Sequence, residues 1–420
     1  MTQTQPEPVV LDPTGTDPHT EARLLRSRGP AARILLPVGF PAWSITRPHI
    51  IRALLSDDTR VSKNPVHWPA WRDGQVPDGW PLAGLVRVTS MLTQDGEEHR
   101  RLRAISAPAF APRRIAALRD RVTAITTDLL DTLETQAVPG EPADLYEHLA
   151  RSLPTRLICD LFGVPDPLRP AALRAVDGVL ATAATEQQAA ENIQNLDAVM
   201  EALLREKEAH PGQDMATDLL TAGDSDGRPL TRREMLDTLA LMIGAGAETA
   251  VNLIAHGIAE LLAHPDQLHL AVSGDVPWDA VVEETLRAHP PIMHMPLRFA
   301  TTDLHLPGEN GEQDVTIRAG EPILPGFGAV GRNPALHHDP DAFDITRTTK
   351  THMAFGHGPH YCLGAALGRM EAAVALPALF DRFPAARLAV PFADLTPLPS
   401  FISHGLSTLP VHLTRQERSR

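Results

Sequence analysis

Apolar positions recur every three to four residues along most of this chain, the spacing of helices with one buried face. They predict helices over Pro48 to Ser56, Glu97 to Arg103, Pro112 to Leu133, Leu145 to Phe162, Pro170 to Thr182, Thr185 to Ala209, Met215 to Leu220, Asp279 to Ala288 and Leu363 to Phe383. A longer one is capped by Thr231 and runs to about His264, where Pro265 ends it. Alternating stretches are few and short. Arg33 to Val38 and Ala42 to Ile45 read as a hairpin around Gly39-Phe40-Pro41. Leu297 to Ala300 and Val315 to Arg318 read as strands, and Phe401 to Leu413 as a closing hairpin. The stretch from Asn64 to Gly96 reads as loop and holds Trp68, Trp71 and Trp80. The pattern is that of a mainly α protein with small β-sheets.

The helix that starts at Thr231 is apolar enough to resemble a membrane span. Glu248, Asn252, His256 and Glu260 interrupt it, and charges at membrane depth are costly, so it is expected inside a large protein core. With 43% hydrophobic and 21% charged residues, the chain can supply that core. A net charge of −14 argues against nucleic acid as a partner. Met1 to Asp17 is polar and proline-rich, without a basic start or apolar run, which predicts no signal peptide, no membrane anchor and a cytoplasmic location. Cys159 and Cys362 are too few and too far apart for a disulfide framework.

The chemistry concentrates in Phe355-Gly356-His357-Gly358-Pro359-His360-Tyr361-Cys362-Leu363-Gly364. Its cysteine lies just ahead of a predicted helix, whose free N–H groups and partial positive charge favour a thiolate. Gly356, Gly358 and Gly364 would allow backbone conformations and close approaches that a Cβ blocks. Taken alone, Cys362 could be a small buried hydrophobe or a metal-bound thiolate. With His352, His357 and His360 it could also hold zinc, although zinc sites favour paired ligands and no second cysteine is near.

The spacing F-G-x-G-x-H-x-C-x-G resembles the haem-thiolate loop of the cytochrome P-450 family. Further motifs follow in the family's order from about Ile45 to Pro410. The resemblance implies one P-450 domain over residues 1–420, the first twenty being a flexible N-terminus. It implies haem b between a long distal helix and the helix after the cysteine loop, with Cys362 as axial thiolate. Ala245-Gly246-Ala247-Glu248-Thr249-Ala250 is similar to the family's distal segment. There Thr249 would offer a hydroxyl to bound oxygen and Glu248 would feed protons inward. Without the resemblance, Glu248 reads as a surface residue and Thr249 as bonded back to its own helix. Ala250 stands where the family commonly has a second hydroxyl, and Gly368 where alanine is usual. Gly246, which costs about 1 kcal/mol against alanine inside a helix, would fit a local opening over the iron.

By the same resemblance, Glu284 and Arg287 form the family's E-x-x-R pair and, with Arg347, brace the cysteine loop. His99, Arg103, Arg298 and His360 would hold the haem propionates, and Phe355, Gly356, Gly364, Ala245 and Gly246 would touch the ring. No flavin or dinucleotide fingerprint is present, so electrons would come from a separate iron–sulfur ferredoxin and ferredoxin reductase. Arg100, Arg101, Arg113 and Arg114 are candidates for the face that receives the carrier. Met91, Leu241, Ala245, His294 and Ile402 would line the substrate pocket. They are apolar or nearly so, which points to a lipophilic molecule. The stretch Arg60-Val61-Ser62-Lys63 with His67-Trp68-Pro69-Ala70-Trp71 resembles that of actinobacterial P-450s that hydroxylate macrolactones and steroids, which implies a steroid or macrolactone/polyketide-like substrate hydroxylated with O2. Oxidative coupling of aromatic or peptide-derived compounds without oxygen insertion is the alternative chemistry. A haem-fold helper protein without activity is the alternative class, and the presence of Cys362 counts against it.

Overall fold

A computed structural model describes residues 7–138, 140–224 and 226–413. The helix Arg232–Ala263 forms the axis of the molecule, its first turn closed by a capping box between Thr231 and Glu234. It is the one helix among the described residues long and apolar enough to cross a membrane, yet most of its apolar stretch is buried inside the protein. It packs against Ser152–Leu161, the E-x-x-R helix Trp278–Ala288 and the cysteine helix Ala365–Arg382. Their apolar faces merge into one core with Val251, Ile254, Ile258, Leu286, Leu376 and Phe380.

The predicted helices are present, with two breaks. Pro112–Ala117 and Arg119–Gln136 are separate helices joined at Leu118. The stretch after Leu145 begins as a π turn over Tyr146–Arg151. Pro265 ends the long helix as expected but also opens a helix the sequence reading missed, Pro265–Val272, where proline suits the first turn.

The β structure is more interleaved than predicted. A six-stranded sheet runs in the order Val9–Val10, Ala32–Leu35, Pro41–Ile45, Pro322–Pro325, Arg298–Ala300, Val61–Ser62. The expected hairpin supplies two of its strands, with Arg33 opposite Trp43. The strands Val9–Val10, Leu304–Leu306 and Pro322–Pro325 were not foreseen. The closing segment is not a self-paired hairpin. Pro410–His412 lies between Arg387–Leu388 and Ala143–Asp144, and Pro397 bridges Leu406. Of the first twenty residues, expected to be flexible, 1–6 lie outside the described residues; from residue 7 the chain pairs as a strand, turns at Asp12 and enters the helix Pro18–Ser27, which Asp17 caps.

Candidate active site

The cysteine loop is shaped by backbone. The Cys362 amide donates to Phe355 O at 2.9 Å, and Gly356 N to Met353 O at 2.9 Å. Gly356 and Gly358 have φ of 69° and 72°, and a Cβ on Gly358 would lie 2.4 Å from Leu55 O. Both therefore need glycine. Gly364 does not fit that account, because its φ is −85°. As helix N-cap it leaves open space beside Cys362 Sγ, 4.0 Å from where its Cβ would be. Burial pushes the Cys362 thiol up, while the Gly364 amide, Arg103 and Arg369 pull the other way.

Above the sulfur lies a cavity of about 230 Å³ with a largely apolar wall. The long helix contributes Leu241, Ala245, Gly246, Thr249 and Ala250, the basic helix Gly96–Ser106 contributes Arg103, and the loop before it Met91 and Leu92. Phe355, Gly356, His360, Cys362, Gly364 and Gly368 form the floor. The long helix shows no break over the cavity. Gly246 instead faces Ile158, whose Cδ1 would be 2.5 Å from an added Cβ. Thr249 Oγ1 donates to Ala245 O at 2.8 Å, so the back-bonded reading holds for this hydroxyl.

Two expected wall residues are not there. Past Pro291 the chain bends and makes only isolated bridges, and Pro291, Ile292 and Met295 face the cavity while His294 turns the other way. His294 is 1% exposed, 3.7 Å from Glu21 and against Phe401. Ile402 joins the apolar cluster on that same far side, and only its carbonyl reaches back, to Met293 N at 2.8 Å. The tryptophans are packing residues: Trp68 and Trp80 sit 5.4 Å apart among Phe40 and Phe299.

One edge of the cavity carries an unusual group of cations. Arg298 is 4% exposed, and its guanidinium has no hydrogen bond or ion pair among the described residues. Burial draws it down to about 10. Lys63, which the sequence reading missed, is also buried; it donates to Pro296 O at 3.1 Å, and burial beside Arg298 lowers it to about 7. Arg103 donates to Tyr361 O at 2.8 Å. His99 packs on His360 with ring centroids 4.1 Å apart, and its Nε2 is buried without a partner. His360 is brought down by burial to about 4. Asp95 is the carboxylate that answers them: burial raises it, but His360, Ser62 and the Lys63 amide hold it at about 2. The excess of positive charge fits a planar cofactor with two carboxylates at its edge, and the roomy floor with Gly364 and Gly368 fits its face.

The chain matches the cytochrome P-450 family profile over residues 81–269 and 278–391. It is a cytochrome P-450. It is 41% identical over 408 residues, 97% of each chain, to the 2-hydroxy-5-methyl-1-naphthoate 7-hydroxylase of Streptomyces carzinostaticus. It is 36% identical to the P-450 monooxygenase PikC of Streptomyces venezuelae, over 95% of this chain and 92% of that one. Among solved structures, a P-450 of Streptomyces coelicolor A3(2) is 46% identical with a TM-score of 0.90, covering 97% of this chain and 100% of that one. A testosterone-bound Streptomyces P-450 is 40% identical with a TM-score of 0.91, over 97% and 99%. The protein is thus a bacterial-type monooxygenase, an oxidoreductase with a haem-thiolate cofactor.

Behind the floor of this P-450, Glu284, Arg287 and Arg347 do come together. Arg287 binds both Glu284 oxygens at 2.8 Å and the carbonyls of Gly331, Pro340 and Ala342 at 2.7 to 2.8 Å. Arg347 Nε reaches Glu284 at 3.3 Å. The direct tie to the cysteine loop is a neighbour the motif does not include. Glu283 accepts from His352 at 3.1 Å and from Arg369, whose guanidinium lies 4.3 Å over the Phe355 ring. His352, His357, His360 and Cys362 are not gathered as a metal cluster. Arg101 is no docking residue, because it is buried between Glu98 and Glu234.

Glu248 is buried, 9% exposed, and is not among the residues that line the cavity. Burial and then Asp177 push it up to about 7, while Asn252 Nδ2 donates to it at 3.4 Å. Asp177 is itself paired with Arg151 at 2.7 Å, so this buried acid is part of a charged cluster toward Tyr146 rather than a surface residue.

Proposed function

We propose that Cys362 ligates the iron of haem b, and that the enzyme hydroxylates an unactivated C–H bond of a lipophilic, multi-ring or macrocyclic natural product of polyketide or steroid character. The observation that carries this reading is the apolar cavity above Cys362 Sγ with its uncompensated buried cations at one edge. The bound haem would supply oxygen activation, helped by the electron donation of an axial thiolate. Arg298, Arg103, Lys63, His99 and His360 would hold its two carboxylates, and Phe355, Gly356, Gly364, Ala245 and Gly246 its faces.

Protons are the protein's contribution to turnover. Thr249 Oγ1 spends its own hydrogen on Ala245 O, which leaves its lone pairs open to accept one from the cavity side. Glu248, close to half-protonated near neutrality, can take up and release a proton. Its link to Thr249 requires its side chain to turn from Asn252. Met91, Leu92, Leu241, Met295 and Phe327 exclude water around the substrate. Electrons would come from a ferredoxin and its reductase, and the exposed Arg100 and Arg113 remain available to an acidic carrier. A cytoplasmic location agrees with that supply.

The substrate class follows the relatives. One is named as a naphthoate hydroxylase, another as a mycinamicin IV hydroxylase/epoxidase and a third as a vitamin D(3) 25-hydroxylase. An optical titration of the ferric enzyme with a substituted naphthoate, a macrolactone and a steroid tests it. A shift from low to high spin with one of them, followed by its hydroxylation, is expected. A haem-thiolate spectrum that none of the three perturbs would discard the substrate class and bring oxidative coupling forward. Thr249→Ala should lower product formed per NAD(P)H severalfold and release peroxide. Unchanged coupling would remove Thr249 from the relay.

A further inference from the structure

The long helix has a polar residue at every fourth position, Glu248, Asn252, His256 and Glu260, and the active site uses only the first. The others lead to a cluster of imidazoles drawn from four distant segments. His19 comes from the N-terminal helix, His256 from the long helix, His289 from the C-cap of the E-x-x-R helix and His404 from the closing segment. Ring centroids are 5.0 Å apart for His19 and His404, 5.7 Å for His19 and His289, and 5.3 Å for His289 and His404. His256 stacks on His289 at 4.4 Å. One ring nitrogen from each of His19, His289 and His404 lies within 4.8 Å of the others.

These nitrogens have nothing to bind. Both ring nitrogens of His19, Nδ1 of His289 and Nδ1 of His404 are buried without a hydrogen-bond partner. Native interiors seldom leave so many orphaned polar atoms in one place. The tautomers are set from outside. Glu260 Oε1 accepts from His289 Nε2, which leaves the lone pair on the orphaned Nδ1. His256 donates from Nδ1 to Asn252 O at 3.1 Å, which leaves its lone pair on Nε2. A carboxylate behind an imidazole is the usual outer support of a metal ligand. The other charged groups nearby are Arg332, held by Ala288 O at 2.9 Å and 3.2 Å from His289 Nε2, and His264, 3.1 Å from Glu260.

We propose that His19, His289 and His404 form a second metal site, separate from the haem, for zinc or a similar borderline divalent cation. His256 Nε2 or water would complete a tetrahedron. Imidazole nitrogens on zinc stand about 3.4 Å apart, so side-chain rotations of about 1 Å close the present gap. The grouped donors are three imidazoles with no carboxylate among them, a set that suits zinc and not calcium or magnesium. The bound ion would fasten the N-terminal helix and the closing segment to the E-x-x-R helix.

Tag-free holoenzyme, stripped with EDTA and titrated with zinc chloride, tests the proposal by calorimetry and thermal melting. One equivalent of zinc should bind with a rise in Tm. His19→Ala and His404→Ala should each lose that binding while keeping the haem-thiolate spectrum, and Glu260→Gln should weaken it by about 10- to 100-fold. Absence of stoichiometric binding to the wild type, or equal binding to the His19→Ala/His404→Ala double variant, would overturn the site. Haem content, read separately by absorbance, distinguishes this failure from a failure of the P-450 reading.

Discussion

Two buried groups of charge flank the same floor and are built in opposite ways. Behind it, Arg287 has each of its donors matched by Glu284 or by a backbone carbonyl, and Arg347 and the Asp344 amide also donate to Glu284. At the cavity edge, Arg298 meets no carboxylate within ion-pair distance, and Lys63 has only one carbonyl. The first network is complete within the protein and belongs to its architecture. The second is completed only by something with negative charge, which is why it points to a cofactor.

The sharpest break falls between the two. Cys362→Ser should leave the fold intact but abolish the haem-thiolate spectrum and reduce hydroxylation to background, read by absorbance and product assay. On the closed side, Arg287→Ala strands Glu284 in the core and should cost about 3–5 kcal/mol in urea unfolding. A loss below about 1 kcal/mol would show that the network is not a closed unit. On the open side, Arg298→Gln should do the reverse. The apoprotein should be at least as stable as wild type, while haem transfer to a competing apoprotein becomes roughly 10- to 100-fold faster, the worth of one charged hydrogen-bond pair.

The smallest effect concerns Lys63. Its folded pKa is lowered to about 7 from 10.5, so between those values the folded apoprotein binds fewer protons than the unfolded chain. Stability contributed by this group is therefore lost as pH falls toward 7 and regained as pH rises toward 10.5. Lys63→Met should flatten that rise by about 1–3 kcal/mol between pH 7 and pH 10. Identical profiles for wild type and variant would mean that Lys63 is not desolvated.

The closed network was legible in the sequence because both of its ends sit in recognisable spacings, Glu284 with Arg287 and the segment ending at Arg347. The cysteine loop was legible for the same reason. Lys63 was not, because it follows a two-residue strand and nothing local separates it from a surface lysine. His294 and Ile402 were misplaced because their segments bend and meet other parts of the chain through isolated bridges, Ile292 with Ser403 and His294 with Gly326, and no local pattern says which side chains such a crossing turns to the cavity. Gly246 was assigned the right neighbourhood for the wrong reason: its contact, Ile158, is 88 positions earlier in the chain, beyond any local pattern.

The six-stranded sheet has a practical consequence for anyone expressing this gene. The family profile begins at residue 81 and ends at 391, yet the sheet takes strands from residues 9–10, 32–35, 41–45 and 61–62, and the last small sheet needs residues 410–412. A fragment trimmed to the profile would lose four of the six strands together with Lys63. Boundaries for a soluble product should therefore be drawn from strand pairing, at or before Glu7, and not from where the family signal starts.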